Sequence, residues 1–298
     1  MKLLQYPSDK LHHKNRESMT RMCKALNIEY EQTSDRGRLQ KRDYDILWLP
    51  MFWISPDEVP GAKILYGPHH FIFPNNEVCG PVNEEWSSRC VYTSLSDWVQ
   101  NLYGEFCSSS VIPFSPLPFG ISLLPERDLT KATLDCIVYV KRRDPNHVKQ
   151  IESVLQKKSL SYRIFSYGSY SDSDYQDTLM KSKFAIWCGS HESQGFAFQE
   201  CLSHNIPILV CDATSMFYEV GSYDHFRGSK QLKSSSASWW SNECGQLIED
   251  RNNFEETLEK IQTNLPYYTP RKFIENHLSD EICMKRILSA LKINLPTK

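Results

Sequence analysis

Residues 190–210 read Ser190-His191-Glu192-Ser193-Gln194-Gly195-Phe196-Ala197-Phe198-Gln199-Glu200-Cys201-Leu202-Ser203-His204-Asn205-Ile206-Pro207-Ile208-Leu209-Val210. The stretch joins two short apolar runs, Phe184 to Cys188 and Ile206 to Cys211, each of the length of a buried strand. Gly195 lets the backbone turn tightly on entering a helix. The amides of Gln194 to Phe196 are then expected to point outward from a helix N-terminus, where a phosphate group is favoured. Glu192 stays in the loop at the carboxyl end of the first strand, and Glu200 falls in the second turn of the helix. Ligands of open α/β sheets bind at those strand ends. An ionised carboxylate can accept two hydroxyl protons at once. Two acids beside a cluster of amides therefore suit a ligand with a diphosphate in its middle and hydroxyls at either end. Two ordinary surface glutamates near a helix start, favoured by the macrodipole, would give the same local pattern.

Outward from this segment, short apolar runs alternate with helical or polar spacers, the order of an α/β protein with parallel sheets. Towards the amino terminus the candidate strands are Tyr162 to Phe165, Asp135 to Val140, Cys90 to Thr93, Ala62 to Tyr66, Asp45 to Leu49 and Leu3 to Tyr6. Helical spacing marks Ser18 to Leu26, Ser94 to Tyr103, Asn146 to Gln156 and Asp174 to Lys181, and from Phe254 the pattern is helical to the end, broken at Pro266 and Pro270. Pro113, Pro116, Pro118 and Pro125 fall in a stretch with no sustained period, where a domain linker is expected.

Glu192 and Glu200 are separated by seven residues, Gly195 lies three after the first, and a Pro-initiated apolar strand follows the helix exit Ser203-His204-Asn205. The segment resembles the Glu-x7-Glu signature of retaining GT-B glycosyltransferases, especially family four. That family usually has Gly where Asn205 stands, and Asn is the other residue that tolerates the left-handed cap. The resemblance implies that Glu192 contacts the hydroxyls of a donor sugar at the catalytic centre and that Glu200 holds the ribose of its nucleotide. Ser193, Gln194, Gly195 and Phe196 would complete the donor contact. Pro118-Phe119-Gly120-Ile121, followed by Glu126 and Asp128, looks like the interdomain segment of the family. Ile137 to Val140, followed by Lys141, Arg142 and Arg143, looks like the first strand of its nucleotide-binding domain. In the family a basic pair just after that strand neutralises the donor diphosphate, a task suited to charge-assisted bonds. Lys141, Arg142 and Arg143 are open alternatives for it, and a solvated basic turn is the plain reading of all three.

The amino-terminal half departs further from the pattern, because Gln5-Tyr6-Pro7-Ser8-Asp9-Lys10 stands where the family has a glycine-rich loop. His69 and His70 follow the Ala62 to Tyr66 strand, and the resemblance implies that one of them faces the donor sugar, as a histidine from this domain often does in related enzymes. An imidazole there could bond a primary hydroxyl or accept a proton, or simply end the strand beside Pro68. The implied architecture is GT-B: two Rossmann-like domains with parallel sheets facing a central cleft. Residues 1–124 would bind the acceptor, residues 130–268 the nucleotide sugar, and the helices of 271–298 would pack back on the first domain. The implied reaction moves a hexose, deoxyhexose or pentose from a nucleotide-diphosphate donor, a UDP- or GDP-sugar, to a hydroxyl of a glycan or related acceptor. It proceeds with retention and needs no metal or other cofactor. A nucleotide-sugar epimerase or hydrolase, or a noncatalytic nucleotide-sugar-binding module, is the alternative, since fold does not fix chemistry.

The remaining signals bound these expectations. At roughly 150 residues per domain, the 298 residues suit about two domains. Lys plus Arg number 34 against 36 Asp plus Glu, so the basic excess expected of a nucleic-acid binder is missing. The apolar stretch at Leu3-Leu4 is too short for a secretory signal, and no run approaches the roughly 20 residues of a transmembrane helix. The 10 cysteines form no Cys-x-x-Cys pair, as expected of reduced thiols in a cytoplasmic protein. Asp172-Ser173-Asp174 matches an Asp-x-Asp metal motif but opens a predicted helix, where Ser171 or Asp172 serves as N-cap. His191-Glu192 lacks the further ligands of a zinc site, and His147 and His204 read as helix-end residues. Ser234 to Ser238 reads as a solvated loop, and Trp239-Trp240 either lines an acceptor groove or packs the base of a domain.

Overall fold

A computed structural model describes residues 1–7, 11–68, 77–215, 232–248 and 253–294. The chain forms two compact units, Met1–Gly120 with the segment from Leu278 on, and Ile121–His277.

The first unit contains β1 (Lys2–Gln5), α1 (His13–Ala25), β2 (Glu29–Gln32), β3 (Ile46–Leu49), β4 (Lys63–Tyr66), α2 (Glu84–Ser87), β5 (Cys90–Thr93), α3 (Asp97–Phe106) and β6 (Phe114–Ser115). Its sheet has the order β2-β1-β3-β4-β5-β6, with parallel pairing throughout. Strands β3 and β5 are buried along their whole length, which is why they appear in the sequence as unbroken apolar runs and not as alternating ones. The flank β2, Glu-Tyr-Glu-Gln, carries no such run and was not expected from sequence. It pairs with β1 alone, and a strand at a sheet edge can stay polar.

The second unit contains β7 (Leu134–Val140), α4 (Pro145–Lys157), β8 (Tyr162–Ser166), α5 (Asp172–Leu179), β9 (Ser182–Cys188), α6 (Phe196–Ser203), β10 (Ile208–Cys211), β11 (Gly245–Ile248), α7 (Phe254–Thr263) and α8 (Pro270–His277). Its sheet is likewise all parallel, in the order β11-β10-β9-β7-β8. Helix α4 starts on Asp144, whose carboxylate accepts from the Asn146 amide, with Pro145 in the first turn. Ser171 caps α5 by accepting from the Asp174 amide, so the Asp-x-Asp stretch is a helix start. The last helix, α9 (Asp280–Ala290), belongs to the first unit and packs on α1.

One expectation about the thiols is corrected. Cys79 and Cys107 form a disulfide across 28 positions of sequence, while Cys23, Cys90, Cys136, Cys188, Cys201, Cys211, Cys244 and Cys283 are buried thiols. The pairing is a tertiary event that no local spacing announces. Backbone bonds from Gly80 to Ser109 (2.9 Å) and from Val111 to Val78 (2.9 Å) lay the two segments side by side.

Candidate functional site

Counted within the second unit, the strands run 2-1-3-4-5, a doubly wound order whose switch point lies between β7 and β9. Connections leave the two strands in opposite directions there and open a crevice at their carboxyl ends. Lys141 follows β7, and its amide donates to Cys188 at the end of β9 (3.1 Å). The Lys141 ammonium meets the Glu192 carboxylate at 2.7 Å, with each side chain only 15% exposed. It also lies 4.6 Å from the ring centroid of Tyr167, the residue after β8. Below this pair the sheet is aromatic. Tyr139 and Trp187 are register partners stacked at 3.9 Å, and Phe198 of α6 meets Trp187 edge-on.

The three basic residues have separate fates. Arg142 is exposed and has a left-handed backbone, φ 50°. Arg143 is buried, donating to the Gly189 carbonyl at 2.8 Å and to the Cys211 carbonyl, and so braces the ends of β9 and β10. Lys141 alone of the three reaches Glu192.

Gly195 has φ 81° and ψ 64° and stands at the N-cap of α6, where no side chain caps the helix. A Cβ at this position would lie 3.3 Å from Glu192 Cβ, so the glycine supplies both the turn and the room for Glu192. Gln194 is buried, and its carbonyl and carboxamide both bond the Gln199 side chain (2.8 and 3.2 Å). Ser193 is exposed, and Phe196 is half-buried at the first position of the helix. At the far end Asn205 adopts φ 63°, the left-handed conformation its residue type tolerates.

Glu200 is one step removed from Glu192. Its carboxylate accepts from the Gln176 carboxamide at 3.3 Å. Gln176 also meets His204 Nε2, while His204 Nδ1 donates to the Pro125 carbonyl at 2.6 Å. Burial holds the His204 pKa below its ordinary value. Tyr175 donates to the Ala197 carbonyl at 3.0 Å and is kept neutral by burial, which raises its pKa far above the usual phenol range.

Several members of this constellation escaped the sequence reading. The Ser234–Ser238 run is not a solvated loop, since Ser236 is 1% exposed and Ser234 8%. Its Ser235 carbonyl accepts from the Glu192 amide at 2.9 Å, and its Ser238 hydroxyl donates to the Glu192 carbonyl. Asp212, directly after β10, bonds the same run. Its place at a strand's carboxyl end was a usable signal; the contact with residues more than 20 positions on was not. Gln176 and Tyr167 carry no sequence motif. Trp240 packs on Phe198 with ring centroids 5.8 Å apart.

In the first unit, His69 and His70 lie outside the described residues. The approach to them is defined: Gly67 has φ 83°, its carbonyl accepts from the Trp48 indole at 2.8 Å, and a Cβ on it would strike the Tyr92 ring. Asp174 pairs with Arg163 through two bonds of 2.8 and 2.5 Å. Among the described residues, no three His, Cys, Asp or Glu side chains are grouped to hold a metal ion, and no helix is long and apolar enough to cross a membrane.

The geometry can be set against solved structures. The lipopolysaccharide outer core galactosyltransferase WaaB, in its apo form, aligns with a TM-score of 0.58 at 12% identity, over 98% of this chain and 99% of that one. The fold is GT-B. A point mutant of S. aureus TarM, in complex with fondaparinux, alpha-GlcNAc-glycerol and UDP, aligns with a TM-score of 0.52 at 13% identity. That alignment covers 86% of this chain, which spans only 57% of the TarM chain. No protein-family profile and no curated protein sequence matches the chain. The two sheets are thus the two Rossmann-like domains of a GT-B protein, and at such identities the likeness speaks of the fold alone.

Proposed function

We propose that this GT-B protein is a retaining glycosyltransferase that moves a sugar from a UDP- or GDP-sugar to a hydroxyl of a glycan or related acceptor. The observation that carries the reading is the Lys141–Glu192 pair (2.7 Å) at the switch point of the second sheet, beside the start of α6. A nucleotide sugar offers each partner a replacement. The diphosphate takes Lys141 and the first-turn amides of α6, the sugar hydroxyls take Glu192, and the ribose takes Glu200. Residues 130–268 are the donor domain in this reading. Residues 1–124 are the acceptor domain in it, with His69 and His70 its candidate sugar contacts, and of the terminal helices α9 belongs to the same unit.

Catalysis in this reading rests on positioning and on charge stabilisation of the departing diphosphate, with a phosphate oxygen taking the acceptor proton on the same face of the sugar. It needs no metal or other cofactor and no protein nucleophile. Glu192 orients the sugar while positive charge develops at its anomeric carbon.

The test is a thermal-shift screen with UDP, GDP and their sugars, because a ligand that binds only the native state stabilises it by about 2.7 kcal/mol at 100 times its Kd. Product analysis with a glycan panel then follows. Glu192→Gln and Glu200→Gln are each expected to suppress transfer with the melting profile of a folded protein. Full activity in both variants overturns the reading. Rapid hydrolysis or epimerisation without acceptor favours the alternative enzyme, and binding without any turnover favours the noncatalytic module.

A further inference from the structure

The carboxylate of Asp212 gathers donors from two stretches of chain. The Ala213 amide (2.8 Å), the Ser236 amide (2.7 Å) and the Ser236 hydroxyl (2.8 Å) all reach one oxygen, and the Ser235 hydroxyl lies 3.2 Å from both. An ionised carboxylate only accepts, so it can collect this many donors without an orphaned proton, and its charge strengthens each bond. The run it collects, Ser234-Ser235-Ser236-Ala237-Ser238, has almost no apolar side chain. Burial of apolar area therefore cannot set its position, and polar bonds must.

That run in turn holds Glu192 by both backbone groups. The Glu192 amide donates to the Ser235 carbonyl at 2.9 Å, and the Ser238 hydroxyl donates to the Glu192 carbonyl. The Glu192 side chain is held from the opposite direction by Lys141. The main chain of Glu192 is thus fixed from the β10 side and its carboxylate from the β7 side.

We infer that Asp212 is a positioning residue for Glu192, acting through the turn at 235–238. The mechanical coupling stands on the hydrogen bonds alone. Its consequence for donor binding rests on the reading of Glu192 as the sugar contact. Asp212 bonds the turn that holds Glu192, so its loss should affect the sugar and spare the nucleotide.

The experiment uses the full chain and two readouts. Hydrogen exchange of peptides covering 189–195 is measured in the wild type, Asp212→Ala, Asp212→Asn and Ser236→Ala. Exchange at Glu192 is expected to be roughly tenfold faster in Asp212→Ala, as loss of a charge-assisted bond network implies. Asp212→Asn, which keeps one carbonyl oxygen for the amides, should recover part of that protection. Peptides of β1, β3 and β4 should be unchanged, which separates local release from general unfolding. Should Asp212→Ala fail to fold, Ser236→Ala carries the same test. Wild-type exchange at 189–195 in a folded Asp212→Ala, or in Ser236→Ala where Asp212→Ala does not fold, overturns the coupling.

The second readout is affinity for UDP and UDP-glucose, or GDP and GDP-mannose, whichever pair binds the wild type. Asp212→Ala should lose the increment that the sugar adds, about tenfold, with nucleoside diphosphate affinity within a factor of two of the wild type. Glu192→Gln, measured alongside, distinguishes the two claims. If exchange rises in Asp212→Ala but Glu192→Gln leaves the sugar increment intact, the positioning stands and the reading of Glu192 falls. If Glu192→Gln abolishes the increment and Asp212→Ala does not, the positioning role is overturned.

Discussion

Replacing Lys141 by Met and Glu192 by Gln, singly and together, tests the pair on which the site is built. Two unit charges 2.7 Å apart attract by about 6 kcal/mol at an effective dielectric of ~20. Both side chains have lost most of their water, at 15% exposure each, and that desolvation takes back several kcal/mol. The expected balance is an interaction energy of ~1–3 kcal/mol. Met keeps the aliphatic stem of Lys141 and gives up the ammonium over the Tyr167 ring, so the change is mainly one of charge. Each single variant should therefore lose ~2 kcal/mol, because it leaves the partner nearly buried and uncompensated. The double variant should be about as stable as either single one. The assay is urea unfolding of the four proteins followed by tryptophan fluorescence; urea carries no charge and does not screen the pair. Losses that add to within ~0.5 kcal/mol in the double variant would show the two groups uncoupled and refute the argument.

Gly195→Ala forces a Cβ into a left-handed turn and to 3.3 Å from Glu192 Cβ, so a loss of ~1–2 kcal/mol and a change in Lys141–Glu192 coupling are expected from the same cycle repeated in that background. His204 gives a pH dependence. Burial, the largest influence, and nearby Arg271 both oppose its charged form, while the Pro125 carbonyl favours it. With the native pKa depressed below 6.5, the unfolded chain binds more protons in this window. Stability is then full above about 6.5 and falls as the pH drops towards the native value. Melting temperatures from about pH 7.5 to 5 should show a slope in the wild type that is shallower in His204→Gln; equal slopes would exclude the histidine as its source.

Much of the fold could be read from the sequence, for a reason visible in individual strands. Ile46–Leu49, Cys90–Thr93 and Phe184–Cys188 are buried throughout, so each had to be apolar at consecutive positions. Glu29–Gln32, Phe114–Ser115 and Gly245–Ile248 were missed. They flank the two sheets, and their state is imposed by β1, β5 and β10 and not by their own composition. The site divides in the same way. Glu192, Gly195 and Glu200 lie on one loop and the helix it enters, so their relation is a matter of spacing. Asp212 and the serine run meet Glu192 only through hydrogen bonds across the carboxyl edge of the sheet, and Gln176 reaches Glu200 from α5. Such contacts have no period and leave no trace in a single sequence.

Two of the three basic residues after β7 show why the structure was needed to tell them apart. Arg143 and Lys141 are both cations at the right strand end, yet their partners differ in kind. Arg143 holds the Gly189 and Cys211 carbonyls, main-chain groups that would each lose a buried donor on its departure, at ~1 kcal/mol or more each. Lys141 holds a side-chain carboxylate that a hydroxylated anion can replace without disturbing the backbone. An exchangeable partner belongs to a ligand site and a main-chain partner to its frame. Arg143→Lys, with too short a fork for both carbonyls, should therefore lower the melting temperature while the folded protein keeps its UDP or GDP affinity within about threefold. Lys141→Met should do the reverse in affinity, weakening the nucleoside diphosphate by roughly tenfold or more as a charge-assisted phosphate bond is lost. Titrations of both variants below their melting temperatures decide the matter. An Arg143→Lys protein with wild-type stability and lost affinity would place the phosphate contact on Arg143 and make Lys141 the brace.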